Sequence, residues 1–123
     1  MIIGIGTDIV QIQRIEKILL KYGQLFTSKI LHEEEIKKLA MLPVSEHARY
    51  ISKRFAAKEA ISKALGTGIG YLGYKDIAIL NDKKGKPVAK VNNKKKKKIG
   101  NFKIDISLSD DYPIAIAFSV VSV

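Results

Sequence analysis

The chain has 123 residues, of which 46% are hydrophobic and 28% charged, a composition typical of one globular domain rather than a disordered chain. It contains no cysteine, which excludes a disulfide framework and a thiolate zinc site. The formal net charge of +10 predicts an anionic partner: nucleic acid, anionic lipid, a phosphorylated small molecule or an acidic protein.

The chain opens on an apolar run, residues 2–10 (IIGIGTDIV), which predicts a buried strand. The run is too short to span a bilayer and has no basic leader, so we expect no signal peptide, no membrane association and a cytoplasmic protein. Asp8 is unusual in such a run, and period-two alternation places it on the same face as Gly4 and Gly6. The two missing side chains leave room for a ligand, or they allow another backbone to pack closely.

Three helices are predicted next. Residues 11–22 have apolar side chains at helical spacing and a basic opposite side formed by Arg14, Lys17 and Lys21. A short second helix is expected from about residue 32 to residue 42.

The third helix is the longest of the predicted helices. Ser45 is a suitable N-cap, and the helix should end near Leu65 with Gly66 as its C-terminal glycine.

The remaining chain predicts two β-hairpins. Residues 74–80 and 86–91 flank the turn signal NDKKGK, and residues 102–109 and 114–123 flank DDYP. The lysine run 94–98 is predicted to be a solvated turn. This order of elements predicts an α+β fold, with residues 1–123 forming one domain in which an antiparallel sheet packs against the long helix. The last strand is almost entirely apolar, which indicates a central strand covered by the long helix or a strand completed by other subunits.

Glu59 lies on the apolar stripe of the long helix, one turn after Phe55, and Lys58 lies at the edge of that stripe. An unpaired carboxylate there would cost several kcal/mol or shift its pKa. One explanation is a helical salt bridge from Glu59 to Lys58 or Lys63. The other is a site for a hard cation formed with Asp8, since Mg²⁺ is usually held by one or two carboxylates together with water and substrate phosphates.

Four motifs occur in order along the chain: GIGTDIV at 4–10, RFAAKEAISKALGTGIG at 54–70, GKP at 85–87 and ISLS at 106–109. In combination they resemble the bacterial holo-acyl-carrier-protein synthases, the short class of 4′-phosphopantetheinyl transferases. The resemblance extends over nearly the whole chain. It implies transfer of phosphopantetheine from coenzyme A to a serine of apo-acyl carrier protein, with release of 3′,5′-ADP.

The resemblance also implies roles for individual residues. Asp8, Glu59 and Lys63 would be the catalytic residues, with Asp8 and Glu59 binding Mg²⁺ against the pyrophosphate of coenzyme A and Lys63 contacting that pyrophosphate. The residues expected to bind coenzyme A are Arg54, Lys58, Lys63, Gly66, Thr67, Gly68, Lys86, Pro87 and Ser107. The first helix would dock the acidic carrier protein through Arg14, Lys17 and Lys21.

A homotrimer with coenzyme A at the subunit interfaces is also implied. Around ISLS many family members have histidine where this chain has Asp105 and Asp110, which puts the role of this hairpin in coenzyme A binding in question. The alternatives are a non-catalytic module that binds coenzyme A or the carrier protein, and a small basic RNA-binding protein. The second is disfavoured because only 7% of the residues are aromatic and no RNA-binding motif is present.

Overall fold

A computed structural model describes residues 1–67 and 70–123 of the protein. Gly68, a predicted coenzyme A contact, lies outside the described residues. The first half of the chain forms strand β1 (Ile2–Gln11) and helices α1 (Ile12–Tyr22), α2 (Gln24–Ile30), α3 (Glu33–Ala40) and α4 (His47–Leu65). The second half forms β2 (Ile77–Asn81), β3 (Pro87–Val91), α5 (Asn93–Ile99), β4 (Lys103–Asp111) and β5 (Ile114–Ser122).

The strands form two antiparallel sheets. One contains three strands in the order β1-β5-β4, and the other is the β2-β3 hairpin. The long helix α4 packs across β1 and β5 and contributes the largest share of the buried core. The predicted α+β class, with an antiparallel sheet against a long helix, is therefore confirmed.

Most predicted elements are present, and two details in the first half of the chain differ. Helix α2, which has only 7 residues, was not predicted from the sequence. Ser45 does not cap α4, because it lies within a 3₁₀ turn (Val44–Glu46) that precedes the helix. The C-terminal end is as predicted, since Gly66 adopts the left-handed conformation with φ 75°.

The predicted turn at Lys94–Lys98 is wrong, because these lysines form most of helix α5. The Asn92 side chain caps this helix by accepting hydrogen bonds from the backbone amides of Lys94 and Lys95. The Lys95 ammonium is neutralised by Asp76 at 2.6 Å. Lysine has a good intrinsic helix propensity. The Asn92 cap and the ion pair with Asp76 offset part of the electrostatic repulsion between the lysines of this run.

The backbone of α4 lies directly on β1 at two glycines. A Cβ atom added at Gly4 would lie 1.8 Å from the carbonyl oxygen of Ala64, and one added at Gly6 would lie 2.0 Å from that of Ala60. The backbone of α4 therefore fills the space at these glycines beside Asp8. A ligand in that space was one of the two explanations that the sequence left open. The alternative explanation, glycine for close backbone packing, is the correct one.

Strand β5 is central, as predicted, but only one of its faces is buried within a single chain. Ala115, Ala117, Ser119 and Val121 point into the core under α4. The other face of the sheet leaves large apolar side chains exposed, namely Ile3, Ile5, Ile9, Ile116 and Phe118. Among the described residues, no helix is both long and apolar enough to cross a membrane.

We expect Gly6→Ala to lower the free energy of unfolding by about 3 kcal/mol, because the new methyl group collides with backbone that cannot move aside. Urea unfolding monitored by circular dichroism measures this loss. The matched control is Gly73→Ala, whose Cβ would be at an ordinary 3.5 Å from its nearest neighbour, and it should change stability by no more than about 1 kcal/mol. Equal stability of the two variants would contradict the close contact.

Candidate active site

Asp8 and Lys63 meet at the boundary between β1 and α4. The Lys63 ammonium donates to Asp8 Oδ1 at 3.2 Å and to the carbonyl oxygen of Thr7 at 2.9 Å. The Asp8 carboxylate is only 18% exposed, whereas the Lys63 side chain is 55% exposed. A cation reachable from solvent therefore lies beside a largely covered anion.

Glu59 has a different partner from those expected. Its Oε1 accepts a hydrogen bond of 2.5 Å from the hydroxyl of Tyr74, which lies in the 3₁₀ turn Tyr74–Asp76 before β2. No ion pair of Glu59 is found within residues 1–67 and 70–123, so the predicted helical salt bridge to Lys58 or Lys63 is wrong. The hydrogen bond from Tyr74 could not be predicted from the sequence, because no spacing pattern connects a residue of α4 with a residue of the turn before β2.

The Asp8 and Glu59 carboxylates lie close enough to influence one another. Burial raises the pKa of Asp8 above its usual value of 3.8, Lys63 lowers this pKa, and the charge of Glu59 raises it. Burial and the bond to Glu59 both raise the pKa of the Tyr74 hydroxyl, which keeps this group a proton donor at neutral pH. The site therefore combines two neighbouring carboxylates, one cation and one neutral hydroxyl donor.

Lys58 points away from this site into the core. Its ammonium is fully buried and donates to Glu35 Oε1 at 2.5 Å and to the carbonyl oxygen of Ile30 at 2.7 Å. Glu35 also accepts from the backbone amides of His32 and Ile79. Burial lowers the pKa of Lys58, and the charge of Glu35 opposes that shift. The predicted contact of Lys58 with coenzyme A is contradicted, since its ammonium is enclosed and committed to internal partners.

The other predicted coenzyme A contacts lie in several parts of the chain, and one of them, Arg54, is buried. Arg54 is 4% exposed, lies over the Tyr50 ring at 4.1 Å and donates to Asn81 Oδ1 at 2.7 Å. Gly66 and Thr67 are exposed where α4 ends, close along the chain to Lys63. Ser107 lies on the outer face of β4, opposite Phe118 of β5. These contacts remain predictions.

Lys86 and Pro87 line a separate groove of about 670 Å³ between the β2-β3 hairpin, α5 and β4. The described residues that line it include five lysines but not Asp8, Glu59 or Lys63. The two groups of predicted contacts therefore do not share a cavity within one chain. The basic members of this lining are Lys75, Lys86, Lys90, Lys96 and Lys103.

The two aspartates that replace the family's histidines differ in their surroundings. Asp110 is 21% exposed and forms ion pairs with Arg49 at 3.0 Å and Lys53 at 3.1 Å. Asp105 is exposed and contacts only Lys103 among its cationic neighbours in the described chain, at 3.5 Å. Asp110 thus binds two cations of α4 rather than repelling them, whereas the exposed pair at Asp105 contributes little stability.

Two neighbouring carboxylates fit the coordination that Mg²⁺ prefers, since this ion needs few protein ligands when phosphates and water supply the rest. Asp8 and Glu59 provide those carboxylates. Among the described residues no group of three or more metal-ligating side chains occurs, so a site closed entirely by protein is not formed. The residues therefore fit a cation that is completed by a phosphate ligand.

Comparisons with known proteins identify the family of this chain. A model of the 4′-phosphopantetheinyl transferase superfamily matches residues 4–117. A holo-[acyl-carrier-protein] synthase of Orientia tsutsugamushi is 48% identical over 99% of this chain and 98% of its own length. The crystal structure of the holo-[acyl-carrier-protein] synthase of Neisseria meningitidis is 38% identical, with a TM-score of 0.92 and complete coverage of both chains.

A third similar protein was solved with a ligand. The holo-(acyl-carrier-protein) synthase of Bacillus anthracis in complex with CoA (3′,5′-ADP) is 38% identical, has a TM-score of 0.86 and matches 98% of this chain and 96% of its own. These similarities confirm the family resemblance that the motifs predict.

The raised pKa of Asp8 predicts how an Asp8→Asn variant behaves in the absence of metal. The folded-state pKa exceeds the unfolded value of 3.8, so the folded state holds more protons between these two values and stability falls as the pH rises through that window. The Asp8→Asn variant has no ionisable group at this position, so its stability does not fall in this window. We therefore expect it to be more stable than the unmodified protein at pH 7.

Urea unfolding with a chelator present, at about pH 7 and about pH 3, tests this expectation, because the advantage should disappear below the unfolded pKa. Asp111→Asn, at an exposed carboxylate of β4, is the control. An Asp8→Asn variant less stable than the unmodified protein at pH 7 would show that the ion pair with Lys63 outweighs burial.

Proposed function

The chain belongs to the 4′-phosphopantetheinyl transferase superfamily, and we propose that it transfers the 4′-phosphopantetheine group of coenzyme A to a serine hydroxyl of an apo-acyl carrier protein. The observation that carries this proposal is the meeting of Asp8, Glu59 and Lys63 where β1 packs on α4. In the reaction the serine oxygen forms a bond to phosphorus, and the bond from that phosphorus to the bridging oxygen breaks. The serine hydroxyl gives up its proton to water, and the leaving group is 3′,5′-ADP, which takes the electron pair of the broken bond.

Phosphoryl-type transfers depend on positioning and on charge stabilisation. We assign Lys63 to the pyrophosphate of coenzyme A, at the phosphate that leaves with 3′,5′-ADP, because its ammonium is exposed and has three donors, of which two contact Asp8 and Thr7. A pyrophosphate carries more negative charge than one carboxylate and so competes for this ammonium. Its single positive charge then lies where negative charge develops.

We propose that Asp8 and Glu59 would hold Mg²⁺. When bound, such an ion neutralises phosphate charge and polarises the phosphorus centre. The protein contributes two anionic oxygens from two different elements, one on β1 and one on α4. Their mutual repulsion, which Asp8 experiences through its raised pKa, favours the binding of a cation between them.

A homotrimer with coenzyme A at the subunit interfaces is also part of this proposal. It is supported by the exposed apolar face of the β1-β5-β4 sheet, where Ile5 and Ile9 are each 63% exposed and Phe118 is 45% exposed. It is supported as well by the separation of the groove at Lys86 and Pro87 from the Asp8 site within one chain. Two chains could then contribute different parts of one coenzyme A site.

The carrier protein would dock on α1. Arg14, Lys17 and Lys21 are all exposed and recur at intervals of three and four residues, so they share one face of the helix. Beside α1 lies an apolar groove of about 760 Å³, whose lining includes Leu19, Leu20, Ile36, Leu39 and Val44. A basic rim beside an apolar groove suits an acidic helical protein. We also propose a cytoplasmic location and no nucleic-acid partner. The proposed substrates, coenzyme A and an acyl carrier protein, support both statements.

Intact-mass spectrometry of apo-acyl carrier protein incubated with this protein, coenzyme A and Mg²⁺ tests the reaction. We expect a gain of one phosphopantetheine, which EDTA abolishes. Glu59→Gln should lower the rate at least about 100-fold, because it removes a charged metal ligand. Glu33→Gln, at an exposed carboxylate of α3, should transfer normally.

A folded protein that binds coenzyme A without transferring it would contradict the enzyme and favour a binding module. Salt-sensitive RNA binding without coenzyme A binding would favour the RNA-binding alternative.

Charge reversal on α1 tests the docking surface. Arg14→Glu should raise the KM for the carrier protein about tenfold and leave the KM for coenzyme A unchanged, because it places like charges opposite one another at the interface. Steady-state kinetics with each substrate varied in turn measures both constants. Lys97→Glu, the same reversal on α5, is the control; if both variants behave alike, the carrier protein responds to net charge only and docks elsewhere.

A further inference from the structure

Tyr74 belongs to none of the four sequence motifs, yet it is the direct partner of Glu59. Its hydroxyl donates to Glu59 Oε1 at 2.5 Å. Among the hydrogen bonds of the described residues, Glu59 Oε2 accepts none. One oxygen of this carboxylate is therefore fixed by the protein, and the other is available to a ligand.

The Tyr74 ring is held in place by the same helix that carries Glu59. It stacks on Phe55 with a centroid distance of 5.5 Å and an interplanar angle of 23°. Phe55 and Glu59 are four residues apart on α4, so they lie on one face of the helix, one turn from each other. The Tyr74 ring therefore packs on Phe55, and the Tyr74 hydroxyl contacts Glu59.

The backbone that carries Tyr74 is anchored from the opposite side. Asp76 Oδ2 accepts from the backbone amide of Gly73 at 2.8 Å and from the Lys95 ammonium at 2.6 Å. The carbonyl oxygen of Asp76 accepts from the amide of Asn92 at 2.8 Å. The turn is thus tied to α5 and to the residue after β3, which limits how far the Tyr74 hydroxyl can move from α4.

We propose that Tyr74 is a positioning residue that restricts the Glu59 carboxylate for the binding of a cation together with Asp8, an inference that rests on the proposed function. A glutamate side chain has three rotatable bonds, and it loses this freedom when it coordinates a metal. Without a bound cation the negative charge of Asp8 repels Glu59. A fixed donor on one oxygen opposes rotation of the carboxylate away from Asp8, and hydrogen-bond partners of metal ligands typically act in this way.

The test is Tyr74→Phe, which removes one hydroxyl and retains the ring stacked on Phe55. Binding of Mn²⁺ is followed by electron paramagnetic resonance with coenzyme A present and the carrier protein absent, so no turnover occurs. We expect the dissociation constant for Mn²⁺ to rise about tenfold. The Mg²⁺ concentration that gives half-maximal transfer should rise by the same factor, while saturating Mg²⁺ restores kcat and the KM for the carrier protein is unchanged.

The chain offers a matched control in Tyr112, whose hydroxyl donates to Glu16 Oε1 at 2.9 Å on the surface. Tyr112→Phe removes the same group from the same kind of pair and should leave Mn²⁺ affinity unchanged. Equal Mn²⁺ affinity of Tyr74→Phe and the unmodified protein would overturn the proposal, as would an equal loss in both variants. If the unmodified protein transfers no phosphopantetheine, the proposed function fails, but a Mn²⁺ affinity that depends on Tyr74 and not on Tyr112 still supports the positioning role.

Discussion

The contact between the backbones of α4 and β1 determines where every group of the candidate site lies. It exists only because Gly4 and Gly6 have no side chains, since a Cβ at either position would collide with a helix carbonyl. Gly6 faces Ala60 and Gly4 faces Ala64, so the strand and the helix run in opposite directions past each other. Asp8, two residues further along the same face of β1, is thereby brought to the part of α4 that carries Glu59 and Lys63. Had larger side chains separated the two elements, Lys63 could not reach both Asp8 and the Thr7 carbonyl.

Lys58 and Glu59 are neighbouring charged residues of α4 with different roles. Lys58 is fully buried and joins Glu35 of α3, the end of α2 and, through Glu35, the backbone of β2. Glu59, the next residue, is held by Tyr74 and belongs to the metal site that we propose. Removing one partner of a buried ion pair leaves the other uncompensated, at a cost of about 3–5 kcal/mol, so the Lys58–Glu35 pair fixes how α4 is rotated about its axis. That rotation determines which face of the helix presents Glu59 and Lys63 to β1.

The sequence predicted the class of fold and grouped Asp8, Glu59 and Lys63 into one candidate site, because both depend on local pattern. Alternation placed Asp8 with the glycines, helical spacing separated Glu59 from ordinary surface charge, and the motifs supplied the chemistry. It could not predict partners that come from distant segments. The resemblance implied that Lys58 binds coenzyme A, whereas its partner Glu35, 23 residues away in sequence, was not recognised, and neither was Tyr74 as the partner of Glu59. The prediction of a solvated turn at residues 94–98 was wrong because the Asn92 cap and the Asp76 ion pair were not recognised in the sequence.

The most direct test of this account is the anomalous diffraction map of crystals of the protein grown with Mn²⁺ and coenzyme A. We predict one Mn²⁺ peak contacting Asp8 and Glu59, with Glu59 still bonded to Tyr74 and the Lys63 ammonium on the pyrophosphate. A coenzyme A complex in which Asp8 remains paired with Lys63 and the metal lies elsewhere would contradict the assignment of these residues to the transfer reaction.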